Sequence, residues 1–162
     1  MCPELRKHIK LIVNMATREQ IQKSARKLVG ASWHHQGRTV EGGIDCIGEV
    51  IFVGIDSGLF TKEEVKQFDI PDYSRRATSF ELLVKKLQEH MIEIPVSKAK
   101  EGDVLSFRLP SEKLTSHVGI LVKGSREMML IHALENKTVF EDPIRRWQSY
   151  VTHAFRYKDL ED

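Results

Sequence analysis

The side chain with the clearest chemical potential is Cys46, in the stretch Asp45-Cys46-Ile47-Gly48. The apolar residues that follow predict a helix running to about Ser57, which Asp45 caps, so that Cys46 lies in its first turn. Unpaired backbone N–H groups and the positive end of the helix dipole favour an anion there. We therefore expect a pKa of Cys46 well below about 8.5, the value of a free thiol, and a reactive thiolate.

Two histidines far downstream offer the base that such a nucleophile needs. His117 and His132 each lie in a β-like run, and residues 123–126 between the runs predict a hairpin loop. With Val122 opposite Glu127, the histidines become direct cross-strand neighbours on one face, and the other face is continuously apolar. A slip of two residues would keep both histidines on that face and only stagger them.

These three residues together predict a cysteine hydrolase. Cys46 would attack a carbonyl carbon, His117 would act as general base and acid, and His132 would hold the His117 imidazole through its second ring nitrogen. The backbone N–H of Cys46, at the helix start, is a candidate oxyanion donor. Taken alone, a cysteine on an apolar helix is more often a small core residue, and a strand histidine is more often structural.

The elements that must position these residues fall into two groups, helices first and strands second. Capping boxes at Thr17 and Thr61 predict two more helices, the first ending at Gly30, and Ser79 begins another that runs to about His90. Helices followed by strands predict an α+β fold in which the nucleophile helix packs on an antiparallel sheet. The predicted strands are 103–107, 117–122, 128–133, 138–141 and 152–157.

Composition bounds the class of protein. The chain has 162 residues, 41% of them hydrophobic and 30% charged, which suits one domain with a sizeable core. A net charge of +2 without a lysine- or arginine-rich block does not indicate a nucleic-acid partner. The two cysteines, Cys2 and Cys46, make no disulfide framework, so a reducing compartment is expected.

The first residues are expected to lie outside the folded domain. The apolar run 9–13 is short, is interrupted by Lys10 and is followed by no small-residue cleavage site, so we expect neither a signal peptide nor a membrane partner. We assign residues 1–14 to an N-terminal extension and residues 15–162 to one peptidase domain, synthesised in the cytoplasm.

Several stretches, in chain order, resemble the NlpC-type papain-like cell-wall cysteine peptidases, and among them the branch encoded in phage tail and prophage gene clusters. The likeness extends from about residue 17 to residue 157. The matching stretches are GASWHHQG at 30–37, GIDCIG at 43–48, EGDVLSF at 101–107, SHVGI at 116–120, LIHA at 130–133 and AFRY at 154–157.

The resemblance implies a papain-like fold with Cys46, His117 and His132 as a catalytic triad. It implies hydrolysis of peptidoglycan stem peptides, usually at the amide bond between D-glutamate and a diamino acid. In the phage branch it also implies phage tail proteins as partners and incorporation into a tail or virion. It implies no cofactor.

Two positions depart from the family pattern. Ser32 replaces the usual proline, and Trp33 stands where the family usually has a tyrosine whose hydroxyl helps at the oxyanion or the nucleophile. An indole offers one N–H donor with a different reach. Trp33 is therefore a candidate oxyanion or substrate-binding residue, His35 a loop residue lining the cleft, and Asp45 a cap with an indirect effect on catalysis.

Other polar and aromatic side chains have plainer interpretations. Arg38 and Glu41 either contact substrate or are solvated, and Trp147 and Phe155 are expected in the core. A zinc site built from His34 and other histidines with the cysteine is conceivable, but no metal-ligand spacing repeats, so no metal is expected.

The sequence leaves two further functions open. One is a tail-assembly structural protein that keeps the fold with little activity, and the other is a secreted amidase toxin or effector. Hydrolysis of wall fragments that Cys46→Ala abolishes would exclude the first. Bacterial lysis on periplasmic but not cytoplasmic expression would favour the second.

Overall fold

The computed structural model describes residues 15–69 and 80–161, and within them helices come first and an antiparallel sheet second. This order confirms the predicted α+β class. None of these helices is long and apolar enough to cross a membrane. The helices are α1 (Arg18–Arg26), α2 (Cys46–Asp56), α3 (Lys62–Phe68) and α4 (Phe80–His90).

A six-stranded sheet forms the centre of the described fold, and all of its neighbouring strands are antiparallel. In chain order the strands are β1 (Ala16–Thr17), β2 (Arg38–Thr39), β3 (Gly43–Ile44), β4 (Met91–Ile94), β5 (Val104–Phe107), β6 (His117–Lys123), β7 (Met128–His132), β8 (Phe140–Pro143), β9 (Val151–Tyr157) and β10 (Leu160–Glu161). The main sheet has the order β4-β9-β5-β6-β7-β8, so β5 and β7 flank β6. The short strands pair separately, β1 with β10 and β2 with β3.

The helix starts follow the sequence signals. The Thr17 hydroxyl accepts the N–H of Gln20 at 3.2 Å, and the Gln20 side chain accepts the N–H of Thr17 at 2.8 Å. Thr61 and Glu64 repeat the pattern at 3.2 and 2.7 Å, so both predicted capping boxes are confirmed. The predicted cap at Ser79 lies outside the described residues.

One strand of the sheet was not predicted. β4 begins at Met91, directly after the last residue of α4, and pairs with β9 at the edge of the sheet. No glycine or proline separates the helix from this strand, so the sequence carried no signal for the change. A 3₁₀ turn over Ile144–Arg146 follows β8.

The hairpin of β6 and β7 pairs two residues out of the predicted register. Lys123 lies opposite Met128, so the loop spans residues 124–127, one position later than expected. The N–H of Gly124 donates to the carbonyl oxygen of Glu127 at 3.0 Å, and a Cβ on Gly124 would lie 2.6 Å from that oxygen. The close backbone approach thus requires glycine at the start of the loop. The histidines share a face but are staggered.

The sheet separates two apolar clusters. The larger cluster lies between the sheet and the helices, and the residues of β6 and β7 in it are Val118, Ile120, Val122 and Ile131. The smaller cluster covers the other face, with Leu105, Phe107, Leu121, Leu130 and Ala154 buried in it. Cys46 packs against the edge of the larger cluster, and α2 contacts β6. The packing therefore brings the start of α2 to the strand that carries His117.

Candidate active site

The loop before α2 is fixed to the first turn of the helix through Asp45. Asp45 is the N-cap residue, as predicted, and its Oδ1 accepts the N–H of Gly48 at 2.8 Å. Its Oδ2 accepts the N–H of Gln36 at 2.8 Å, and Nη1 of Arg38 donates to Oδ1 at 2.9 Å. Cys46, the first residue of α2, is thereby held in a defined position.

A close backbone contact explains the glycine two residues after the cysteine. A Cβ on Gly48 would overlap the carbonyl oxygen of Gly37 in the preceding loop. That same oxygen accepts a hydrogen bond from Nη1 of Arg38 at 2.8 Å. The Asp-Cys-x-Gly pattern therefore has two structural reasons, a capping carboxylate and a helix turn on which a loop lies directly.

Arg38 has a structural role that the sequence did not predict. Besides Asp45, it donates from Nε and Nη2 to the carboxylate of Asp69 at 2.7–3.3 Å. Asp69 is the residue at which α3 ends. The guanidinium thus joins the end of α3 to the start of α2. Of the two alternatives for Arg38, substrate contact or simple solvation, the second is wrong.

The thiol of Cys46 is held in its neutral form. Cys46 is half-buried, and removal from water, then the charges of Asp45 and Glu49, raise its pKa to about 12. Hydrogen bonds with the backbone of Val118 and Ile47 lower the pKa but do not offset the burial. The expected pKa below that of a free thiol is therefore wrong, because desolvation outweighs the helix dipole at this site.

The same contact locates the sulfur relative to the sheet. The backbone of Val118, which lowers the pKa of the Cys46 thiol, directly follows His117 on β6. Cys46 at the start of α2 and His117 at the start of β6 therefore lie on elements that contact each other.

His117 and His132 form a buried pair. Nε2 of His117 lies 2.9 Å from Nδ1 of His132, and the two residues are only 3% and 0% exposed. Gly119, directly opposite His132 in the β6–β7 register, makes room for this arrangement, because a Cβ there would lie 3.0 Å from the Cβ of His132. The predicted histidine pair is present, with the stagger of the observed register.

Both imidazoles are neutral at neutral pH. Burial, and then the neighbouring His132, lower the pKa of His117 to about 3. Burial lowers the pKa of His132 to about 4, against the opposing charge of Asp142. Because Nε2 of His117 contacts His132, Nδ1 of His117 is the ring nitrogen that remains for proton exchange.

Trp33 and His35 lie together in the loop that leads to Cys46. Both residues are half-buried, and their rings stack with centroids 6.4 Å apart and planes 29° apart. The ring of Trp33 also packs against the larger apolar cluster. His34 is exposed, and in the described part of the chain no three His, Cys, Asp or Glu side chains are grouped as a metal site would need.

Trp147 has a position that sequence reasoning missed. It was expected in the core, but it is half-buried, and its ring lies 4.7 Å from the ring of His132 and 6.5 Å from that of His117. Its Nε1–H donates to Asp142 at 2.7 Å. No motif signals these contacts, because they depend on how the turn between β8 and β9 folds across the sheet. Phe155, at 0% exposure, is in the core as predicted.

Comparison with known proteins adds to this geometry. The model of the NlpC/P60 family matches residues 30–156. Among solved structures, a Staphylococcus aureus protein described as similar to lipoprotein, NLP/P60 family, is 19% identical with a TM-score of 0.59, over 90% of this chain and 42% of that one. The NlpC/p60 domain of peptidoglycan hydrolase SagA is 23% identical with a TM-score of 0.56, over 85% and 97%. No curated protein matches the sequence.

A third structure, NlpC2 from Trichomonas vaginalis, is 19% identical with a TM-score of 0.61, over 86% of this chain and 46% of that one. The chain therefore spans less than half of the Staphylococcus and Trichomonas proteins and nearly all of the SagA domain. At these identities the likeness establishes a shared fold, and the predicted papain-like α+β architecture is confirmed.

Proposed function

Because this chain belongs to the NlpC/P60 family, whose model matches 30–156, we propose that it is a cysteine hydrolase that cleaves peptidoglycan stem peptides. The observation that carries the proposal is the buried contact of 2.9 Å between His117 of β6 and His132 of β7, since α2, which begins at Cys46, contacts β6. One structural neighbour, SagA, is described as a peptidoglycan hydrolase, and this likeness supports the substrate class.

In the acylation step, the Cys46 thiol loses its proton to Nδ1 of His117 as the sulfur attacks the carbonyl carbon of the scissile amide. The new C–S bond converts the carbonyl into a tetrahedral oxyanion, which the backbone N–H of Cys46 stabilises. The His117 imidazolium then gives the proton to the amide nitrogen, the C–N bond breaks, and the amine leaves. His132 holds the His117 ring throughout.

In the deacylation step, a water molecule attacks the thioester carbonyl and gives its proton to Nδ1 of His117. The C–S bond breaks, a carboxylic acid leaves, and the proton returns to the sulfur.

The side chains of Trp33 and His35 are proposed to line the substrate cleft, and Asp45 acts by fixing the helix start. We propose as the scissile bond the amide between D-glutamate and a diamino acid.

The decisive experiment measures cleavage of stem-peptide fragments by mass spectrometry. Wild-type protein is compared with Cys46→Ala, and with Cys2→Ala as the matched control, because it removes the other cysteine of the chain. We expect cleavage by wild type and Cys2→Ala, none by Cys46→Ala, and products that identify the bond. No cleavage by a folded wild-type protein with a reduced thiol would refute the proposal and favour an assembly role.

We further propose that the protein acts as a component of a phage or prophage tail, incorporated after synthesis in the cytoplasm. The support is the resemblance of residues 30–37 and 43–48 to the motifs of that branch. Purified tail particles from the source organism should contain the chain, detected by mass spectrometry. Its presence only in culture fluid, without particles, would contradict the proposal and favour a secreted effector.

A further inference from the structure

The second nitrogen of His132 lies in an aromatic environment. The ring of His132 is 4.6 Å from that of Phe140 and 4.7 Å from that of Trp147, with the Trp147 plane at 78°. Within residues 15–69 and 80–161, Nε2 of His132 is buried and has no hydrogen-bond partner. A fully buried polar atom without a partner is unusual and requires a physical reason.

Trp147 is itself held in place by a buried carboxylate. Its Nε1–H donates to Oδ2 of Asp142 at 2.7 Å, and Oδ1 of Asp142 accepts from Arg146 at 2.9 Å. Asp142 is only 6% exposed. The indole ring also lies 6.3 Å from Phe107. The position of Trp147 over the histidines is therefore fixed by a strong hydrogen bond and by packing.

The contact between the two histidines allows two tautomers. If Nδ1 of His132 donates, its Nε2 presents a lone pair to the aromatic rings, and His117 carries its proton on Nδ1. If Nε2 of His117 donates, His132 carries its proton on Nε2, and Nδ1 of His117 has a free lone pair. The face of an aromatic ring is negative, so it attracts an N–H and repels a lone pair. The rings around His132 favour the second arrangement.

We propose that Trp147, fixed by Asp142, is a positioning residue that selects the Nε2–H tautomer of His132 and so leaves Nδ1 of His117 free to accept a proton. The catalytic consequence rests on the proposed function, but the tautomer does not. The arrangement explains why an orphaned ring nitrogen persists in the buried site. An N–H among aromatic rings has a weak acceptor at hand, whereas a lone pair in the same place has no donor among the described residues.

The charged groups around His132 have opposite effects on its pKa. The carboxylate of Asp142 raises the pKa of His132, while Lys137 lowers it and the neutral ring of His117 faces it across the strands. When His117 takes up a proton, positive charge spreads toward His132 through the hydrogen bond. Asp142, beyond the indole, is placed to stabilise that charge, with the guanidinium of Arg146 on its other oxygen.

The test measures the ring ¹⁵N chemical shifts of His117 and His132 in the full-length protein at neutral pH, because protonated and unprotonated ring nitrogens resonate far apart. We expect both residues to be protonated on Nε2. In Trp147→Leu we expect a mixture of tautomers and a fall in kcat of about 10²-fold with KM little changed. Trp147→Phe keeps a ring but loses the bond to Asp142, so both changes should be smaller.

The matched control is Tyr150→Phe, which alters a ring 6.5 Å from Trp147 and should leave the shifts unchanged. Protonation of His132 on Nδ1 in the wild type overturns the inference, even if Trp147→Leu fails to fold. An unchanged tautomer in a folded Trp147→Leu overturns it as well. The Nε2–H tautomer in a protein without hydrolase activity would refute the proposed function alone.

Discussion

At the residue scale, Cys46 and His117 are both neutral before substrate binds. Burial is the main cause of a thiol pKa of about 12 and an imidazole pKa of about 3. A single charge on either group is unfavourable in this environment, but a thiolate and an imidazolium formed together attract each other strongly where water is scarce. In the proposed reaction the proton therefore moves as the sulfur attacks, and no thiolate is formed beforehand.

Alkylation of Cys46 should therefore be slow at neutral pH. Iodoacetamide reacts with the thiolate, and a raised pKa means that the thiolate fraction increases tenfold for each unit of pH below that pKa. The measurement uses a Cys2→Ala background, in which one thiol is left in the chain, and follows alkylation by mass spectrometry. The alkylation rate should still be increasing with pH at about pH 9. A plateau with a midpoint below about 8.5 would instead show an activated thiolate at rest.

Glu49 is a buried acid that the proposed mechanism does not use. It is 0% exposed, and neither carboxyl oxygen has a hydrogen-bond partner among the described residues. Burial raises its pKa well above the usual 4.5, although the nearby N–H of Ala133 lowers it. The folded protein thus keeps a proton that the unfolded chain releases above about pH 4.5, so this residue makes stability fall as pH rises from there toward the raised pKa.

Replacing Glu49 with leucine should increase the free energy of unfolding at neutral pH by about 1–3 kcal/mol, because an unsatisfied buried carboxyl is removed. Urea unfolding from about pH 5 to pH 8 measures this gain and its growth with pH. Glu49→Gln is the matched control, since it removes ionisation but leaves a buried polar group. A less stable Glu49→Leu would mean that the carboxyl has a stabilising partner in solution.

Sequence patterns indicated the candidate site residues but not their electrostatics. Asp45, Cys46 and the two histidines could be found because a cap, a helix start and two strands are local signals. The pKa of Cys46 could not be found, because its burial depends on the packing of α2 against β6. The contacts of Trp147 with the histidines were missed for the same reason, since they connect residues of separate strands.

At the element scale, the β6–β7 hairpin places the histidines. Its register differs from the predicted one by a shift that periodicity alone does not detect, because both registers keep the same residues on the same face. The position of Gly124, where only glycine fits, is the local feature that decides between them. Gly119 is a second such position, and it faces His132 directly.

Gly119→Ala should therefore disturb the histidine pair. The new Cβ would lie 2.9 Å from the carbonyl oxygen of Ile131 and 3.0 Å from the Cβ of His132, so β7 must move away from β6. We expect a loss of about 1–3 kcal/mol in unfolding free energy, and a fall in kcat at temperatures where the protein is still folded. Thermal unfolding and peptide hydrolysis measure the two effects.

The control for Gly119→Ala is Val122→Ala, on the same strand but on the helix-facing side of the sheet. It removes buried apolar contacts and should lower stability by a similar amount. Hydrolysis by the folded Val122→Ala protein should remain near the wild-type rate. Equal losses of kcat in both variants would mean that the hairpin acts only through overall stability.

At the scale of the whole molecule, the order of elements was predictable and the long-range contacts between them were not. Capping boxes and apolar runs determine helices and strands locally, which is why the α+β class followed from the sequence. β4 was missed because it follows α4 without a break. The ion pairs that join distant segments, such as Arg18 with Asp103, have no local signal at all.

Asp103 connects three parts of the fold. Asp103 is 0% exposed, and its Oδ1 accepts a hydrogen bond from Arg18 of α1 at 3.1 Å. Each of its two oxygens also accepts a hydrogen bond from Arg156 of β9 at 2.9 Å. It also accepts the N–H of Lys100 at 2.8 Å, which fixes the turn before β5. Because both arginines are mostly buried, removing the carboxylate would break a buried ion pair with each of them.

Asp103→Ala should lower the free energy of unfolding by about 3–5 kcal/mol, the usual cost of breaking a buried ion pair on one side. Urea unfolding followed by circular dichroism measures it, and an unchanged m-value would show that the unfolding unit is the same. Glu63→Ala is the control, because its pair with Lys66 is 73–78% exposed and should contribute less than about 1 kcal/mol. If both variants lose a similar, small amount of unfolding free energy, water must take the place of the Asp103 carboxylate in the variant. Packing alone would then join α1 to the sheet.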